Sequence, residues 1–136
     1  MRFVVLLVYL VGVLPPSTEV QWVDYIAKEE LGIDEFGVEV RLFDDKRVDM
    51  VVNDYAIEVD WASKWSEGIG QALYYAHATD KKAGLILLVK NSERDRKYLY
   101  QALVVCRANE PKITLWAYDT DKRQFMSIGQ KKGLLK

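Results

Sequence analysis

Histidine and cysteine are almost absent from this chain of 136 residues, which contains one of each. Because Cys106 is the only cysteine, neither an internal disulfide nor a cysteine-based zinc site can form. The single histidine, His77, has no histidine or cysteine partner for zinc, and we expect it at the surface or at a helix end. Walker-type glycine loops and G-x-S-x-G elbows are also missing. These absences exclude a zinc centre of that kind, P-loop phosphate binding and the serine-hydrolase signature.

The chain also lacks a strong charge of either sign, because 19 lysines and arginines oppose 20 aspartates and glutamates. Proteins that coat nucleic acid without specificity are usually basic. Any attraction to phosphates must therefore come from local patches or from a metal ion. The candidate patches, whose simpler interpretation is solvated surface, are Lys81-Lys82, Arg94 to Lys97 and Lys131-Lys132.

One hydrophobic segment stands apart from the rest of the chain. Twelve uncharged residues, Phe3 to Leu14, follow Arg2 and end at Pro15-Pro16. The run is short for a membrane span but fits the core of a secretory signal, although small residues for cleavage are lacking. We expect residues 1–17 to be a signal or anchor that touches a membrane only through residues 3–14. The alternative is a cytoplasmic chain that starts in a hydrophobic strand.

Residues 18–136 are expected to form a single domain, because the chain has no repeat, linker or low-complexity stretch. Hydrophobic periodicity and capping residues, with Ser66 and Ser92 as expected N-caps, define its elements. The predicted order is helix 19–31, strands 38–42, 48–52 and 55–61, helix 66–79, strand 84–89, helix 92–108 and strand 113–118. Late alternation of helices and strands implies crossovers onto a mixed sheet. The sequence therefore predicts an α/β (α+β) fold with an αβββαβ core and a central mixed sheet flanked by helices.

Acidic residues on two neighbouring strands are the main chemical signal. Asp49 lies in the second strand and Glu58 in the third, so a hairpin would bring their carboxylates together. Such a pair repels unless a divalent cation lies between them, and hard oxygen ligands suit Mg²⁺ or Mn²⁺. Asp60 follows Glu58 by two residues and points to the same face. Lys64, in the loop that follows, could neutralise phosphate charge or position water; a solvated acidic sheet face is the alternative.

The next helix adds two candidates for binding or orienting a substrate, Gln71 and Tyr75. Gln71 and Tyr75 are four residues apart and so share one helix face, with Gly68 one turn earlier on that side. A buried amide needs hydrogen-bond partners, which favours an orienting role for Gln71. Tyr75 has packing as its simpler interpretation.

These segments, taken in order, resemble the PD-(D/E)XK nuclease superfamily. The likeness covers residues 19–118 and is carried by Arg47-Val48-Asp49, Ile57 to Asp60 and Gly70 to Tyr75. Asp49 corresponds to the first acidic residue of the superfamily and Glu58 to the acid of its E-x-K signature. The spacing of Gln71 and Tyr75 is similar to the Q-x-x-x-Y motif of nuclease modules in bacterial recombinational-repair machines. The resemblance implies a restriction-endonuclease-like fold.

A narrower likeness concerns residues 56–76. With its Ala62-Ser63-Lys64-Trp65 stretch after an acidic pair, this segment resembles small uncharacterised bacterial proteins that often begin with a signal-like segment. Asp60 stands where the superfamily usually has lysine. Either Lys64 has replaced that lysine from a displaced position, or catalysis is lost. Glu30 and Glu39 are candidates for the extra carboxylate that some members have.

Three functional hypotheses follow from this sequence. The first is a metal-dependent nuclease acting on DNA, or on RNA, with catalytic Asp49, Glu58, Asp60 and Lys64. In that hypothesis Asp49 and Glu58 bind Mg²⁺ or Mn²⁺, and Gln71 orients a ligand or the lysine. The second is a nuclease-like fold that is retained for binding nucleic acid or protein without turnover. The third is a structural exported protein that binds no metal.

Overall fold

A computed structural model describes residues 14–128 and places a six-stranded mixed sheet between helices. Helix α1 spans Glu19–Tyr25 and continues as a π-helical turn, Ile26–Glu30. The longer helices are α2, Trp65–Thr79, and α3, Ser92–Ala108. The strands are β1 Val38–Arg41, β2 Arg47–Val52, β3 Tyr55–Trp61, β4 Lys82–Val89, β5 Thr114–Asp119 and β6 Gln124–Met126. The predicted mixed α/β fold is confirmed.

The sheet follows chain order from β1 to β6. The first three strands form an antiparallel meander, whereas β3, β4 and β5 are parallel neighbours joined by α2 and α3. Parallel neighbours need a crossover, and these two helices supply it. The carboxyl ends of β3, β4 and β5 therefore meet at one edge of the sheet.

Both faces of the sheet are covered, as the continuous apolar run of β4 predicts. Leu85 and Leu87 point towards α2 and α3, where Ala72 and Ala102 are fully buried. The alternate β4 residues point to the opposite face, where they pack with α1 and its π-helical turn. Along β3 the same alternation sends Ile57, Val59 and Trp61 towards α1. Glu58 and Asp60, between them, face α2.

The ends of the elements depart in places from the sequence prediction. Thr18 and Gln21 form a capping box at the start of α1, and Gly32 has a positive φ of 61° after its π-helical turn. The proposed caps of the other helices are wrong. Helix α2 starts at Trp65, after a 3-10 turn over Ala62–Lys64, and Asn91 caps α3 by accepting the Arg94 N–H.

Strand β6 was not predicted, and it pairs antiparallel with β5. Residues 1–13, which include all of the hydrophobic segment except Leu14, and the Lys131-Lys132 patch lie outside the described residues. Of the helices between residues 14 and 128, none combines the length and the hydrophobicity that a membrane crossing requires.

Candidate active site

Asp49 and Glu58 meet at the point where β2 separates from β3. The two strands pair from Met50–Ile57 to Val52–Tyr55, and that register, continued by one step, sets Asp49 opposite Glu58. At this point the Asp49 side chain, in place of the backbone of β2, bonds to β3: its Oδ2 accepts the backbone N–H of Val59 at 2.8 Å. Burial raises the pKa of Asp49 to about 6. The two carboxyl groups also share a hydrogen bond, which limits that rise and adds to the rise of the pKa of Glu58. Glu58 is therefore the member that holds the proton.

The Glu58 carboxyl is the most unusual group of the site. Its side chain is 4% exposed, and Oε2 has no hydrogen-bond partner among the described residues. Burial, and then the neighbouring Asp49, raises the pKa of Glu58 to about 10. A buried polar atom without a partner is costly and uncommon in native proteins. It leaves Glu58 with an acceptor oxygen that a hydrogen-bond donor or a cation could occupy.

Asp60 lies on the same face of β3, directly below α2. It is 3% exposed, and its Oδ1 accepts the backbone N–H of Trp61 at 2.8 Å. A Cβ built on Gly68 would lie 3.4 Å from the Asp60 Cβ and 3.0 Å from Leu85 Cδ1. The tighter of these contacts is with the end of the Leu85 side chain, which would have to shift if residue 68 carried a methyl group. Burial raises the pKa of Asp60.

A fourth carboxyl, Glu19, was not among the predicted site residues. It lies in the first turn of α1 and shares a hydrogen bond with Asp60, in which the glutamate keeps the proton. Burial is the main reason that the pKa of Glu19 rises to about 7. The Thr18 capping box locates this residue at a helix start, but an acid there is usually explained by the helix dipole. The sequence carried no sign of its contact with β3.

The two carboxylates suggested as extra site residues behave differently. Glu30 accepts a hydrogen bond from the Tyr118 hydroxyl at 2.8 Å, on the α1 face of the sheet, so its place in the site is wrong. Glu39 lies on β1 between the register pairs that flank Asp49, and its charge raises the pKa of Asp49. It also has a positive φ of 51°, a strained backbone for a residue with a side chain. Glu39 therefore borders the site without contacting Glu58.

Lys64 ends the 3-10 turn between β3 and α2 and is exposed. Its charge lowers the pKa of both Asp60 and Glu19, so the ammonium lies on their side of the fold. In residues 14–128 it forms no ion pair within 4 Å with a carboxylate. The lysine is thus near the acids and remains free to contact a ligand.

Gln71 and Tyr75 approach the site from α2. Tyr75 is 5% exposed and packs with Val48 and Ala56, while Gln71 is half-buried. Their side chains are hydrogen-bonded to each other, and burial together with the Glu58 and Asp49 charges raises the pKa of Tyr75 to about 12. The tyrosine hydroxyl is therefore neutral and stands beside the carboxyl pair. His77 is exposed near the end of the same helix, as expected.

These residues fit a divalent cation only in part. Over residues 14–128 no set of three or more His, Cys, Asp or Glu side chains is arranged to hold a metal ion. A pair of carboxylates can suffice, however, because Mg²⁺ keeps several waters and is commonly bound through one or two carboxylates plus a substrate phosphate. The free oxygen of Glu58 beside Asp49 offers such a pair, with hard oxygen donors of the right chemistry.

Comparisons with known proteins give no match. No family model, no curated protein and no solved structure is similar to this chain. The proposals that follow therefore depend on the geometry of these residues.

Proposed function

We propose that this protein is a divalent-cation-dependent nuclease that hydrolyses phosphodiester bonds in DNA. One observation carries the proposal: the Glu58 carboxyl is buried opposite Asp49, and one of its oxygens has no partner. A purely structural carboxyl would be expected to accept hydrogen bonds, as Asp95 and Asp119 do from backbone N–H groups elsewhere in the chain. A cation with a bound phosphate would meet that need.

Each residue has a role that follows from its position. Asp49 and Glu58 would hold Mg²⁺ or Mn²⁺, which when bound polarises the phosphodiester and lowers the pKa of water. Asp60 and Glu19 share a proton at the carboxyl end of β3, where one of them can accept a proton from the attacking water. The water oxygen bonds to phosphorus as the bond between phosphorus and the leaving oxygen breaks, and the leaving oxygen takes a proton from solvent water. Exposed Lys64 can move onto the phosphate and offset its charge.

Gln71 and Tyr75 support this arrangement from α2. The amide holds the tyrosine through a hydrogen bond, and the neutral hydroxyl stays close to Glu58 and Asp49 without adding negative charge. We therefore assign Gln71 a positioning role in the nuclease hypothesis.

The test is hydrolysis of single- and double-stranded DNA by the purified chain with Mg²⁺, Mn²⁺ or a chelator. We expect cleavage only with the cation, and its loss in Glu58→Gln and Asp49→Asn. Removing a group that stabilises transition-state charge typically lowers kcat by about 100-fold or more, which is our expectation for Lys64→Ala. Glu110→Gln and Lys112→Ala are matched controls, because both residues are exposed and precede β5, at the opposite edge of the sheet. Cleavage that survives Glu58→Gln would reject the assignment.

A second function, binding without turnover, is favoured by one specific observation. Asp60 occupies the position where the superfamily resembled by this sequence has lysine, and Lys64 contacts no carboxylate within 4 Å in the described part of the chain. In that case calorimetry should detect Mn²⁺ binding, Asp49→Asn should abolish that binding, and no DNA should be cleaved. Cation-dependent cleavage that requires Lys64 would eliminate this alternative.

A further inference from the structure

A groove opens at the carboxyl ends of β3, β4 and β5. It has a volume of about 400 Å³, within the roughly 300–1,000 Å³ typical of ligand sites. Crevices beyond the carboxyl ends of parallel strands are the usual binding position in open α/β sheets. Its lining includes Ser17, Trp61, Lys90 and Arg123.

Two cations of the groove are held by aromatic rings. Lys90 Nζ lies 4.3 Å from the Trp61 ring centroid, and Arg123 Cζ lies 5.8 Å from the Tyr25 centroid. Both cations are exposed, and in residues 14–128 neither has a carboxylate within 4 Å. A ring orients a cation without using its N–H donors, so both remain available to an anion. Among the described residues that line the groove, Asp121 is the only acid.

The groove lies on the α1 side of the sheet, one residue along β3 from the candidate acids on the α2 side. Trp61, in its wall, directly follows Asp60 on β3, and Ser17 precedes Glu19 by two residues. A strand whose phosphate lies at the acids therefore reaches the groove by passing over the end of β3. The acids themselves repel phosphates, so an extended ligand needs a positive contact such as this one nearby.

We propose that the groove binds single-stranded DNA next to the cleavage position. Its phosphates contact Lys90 and Arg123, and one base stacks on Trp61 in place of the Lys90 ammonium. Trp61 is half-buried. Base–aromatic stacking on the part of its ring that Lys90 now covers is the stronger contact, so the exchange is favourable and frees the ammonium for the phosphate. An unpaired base is needed for stacking, which selects single strands over duplex. The inference rests on the proposed nuclease function.

The test is fluorescence anisotropy of a labelled thymidine oligonucleotide of about 12 nucleotides, a length within the usual site size. Glu58→Gln with Mg²⁺ and the wild-type chain in chelator both prevent cleavage. We expect Trp61→Ala to weaken binding roughly tenfold and Trp61→Phe to retain it. Lys90→Ala and Arg123→Ala, which alter only exposed side chains, should each reduce the slope of log affinity against log salt by about 0.7, the value for one phosphate contact on a single strand. Lys112→Ala should leave the slope unchanged.

Several results would overturn the inference. One is absence of oligonucleotide binding in both cleavage-blocked proteins. Another is an unchanged salt slope in Lys90→Ala and Arg123→Ala. Duplex or thymidine monophosphate binding as tightly as the oligonucleotide would also contradict single-strand selection. Binding is measured here without cleavage, so the two proposals can fail separately. Oligonucleotide binding by a protein that never hydrolyses DNA would refute only the proposed nuclease activity. DNA cleavage that is unchanged in Lys90→Ala would refute only the proposed role of the groove.

Discussion

Replacing Glu58 by glutamine should stabilise the cation-free protein at alkaline pH. The substitution keeps the shape of the side chain and removes an acid that is 4% exposed and faces Asp49. If the carboxyl is retained to bind a cation, its burial costs stability whenever the cation is absent. The variant is then more stable and inactive, which is the usual relation between a strained functional group and the fold.

The size of the effect depends on pH. Burial and Asp49 raise the pKa of Glu58 from 4.5 to about 10, so between these values the folded chain holds a proton that the unfolded chain has lost. The free energy of unfolding of the wild type therefore falls as pH rises, by at most about 1.4 kcal/mol per pH unit for this group. From about pH 6 to about pH 8 the advantage of Glu58→Gln should grow by up to about 3 kcal/mol. Below pH 4.5 the difference should be flat.

Urea unfolding followed by tryptophan fluorescence in chelator measures this difference at each pH. Glu110→Gln serves as the control, because it removes an exposed acid and should shift stability little at any pH. A difference between wild type and Glu58→Gln that does not change across this range would refute the reasoning. It would mean that the carboxyl ionises freely in the folded chain, and the site would then have no need of a cation.

Three further predictions concern the cation, the helix and the thiol. At alkaline pH Mn²⁺ should raise the free energy of unfolding of the wild type, by about 2.7 kcal/mol at a concentration 100 times its Kd. It should not change the stability of Asp49→Asn. Equal stabilisation of both proteins, measured by calorimetry, would contradict a cation site at Asp49. Gly70→Ala should stabilise α2 by about 0.5–1 kcal/mol, because the added Cβ would meet nothing within 4 Å. Gly68→Ala should not give this stabilisation, because its Cβ would lie 3.0 Å from Leu85 Cδ1. Equal thermal stability of the two variants would disprove the close approach of α2 to Leu85. Burial raises the pKa of the Cys106 thiol to about 11, so a thiol reagent at about pH 8 should label it only after unfolding, and rapid native labelling would show that the thiol is accessible.

The strands that carry the candidate acids were readable from the sequence because their alternation is regular. Tyr55–Trp61 has the bounds that the pattern predicts, and Arg47–Val52 begins one residue earlier than expected. Period two then decides which side chains share a face, so the common side of Glu58 and Asp60 could be predicted without coordinates. The position of Asp49 opposite Glu58 follows from the short turn between these strands.

Other features depend on contacts between distant parts of the chain, which local patterns do not contain. Glu19 reaches Asp60 only after α1 has packed on the sheet, and the strand pattern carries no information about that packing angle. Strand β6 was missed because it has only three residues and is held in the sheet by its hydrogen bonds to β5. The cap of α2 was wrong because the 3-10 turn at Ala62–Lys64 brings the chain into the helix without a capping side chain.

The two facing acids, Asp49 and Glu58, lie on strands that pair with their neighbours to different extents, so local unfolding can separate them. Glu58 belongs to β3, which pairs with β4 along its whole length, whereas β2 pairs with β3 only from Met50 to Val52. Subglobal opening that detaches the β1–β2 hairpin would carry Asp49 away while the parallel strands stay intact. An ion bound by both carboxylates would therefore hold the β1–β2 hairpin against β3. When the ion binds, amide hydrogen exchange should slow far more in β1 and β2 than in β4.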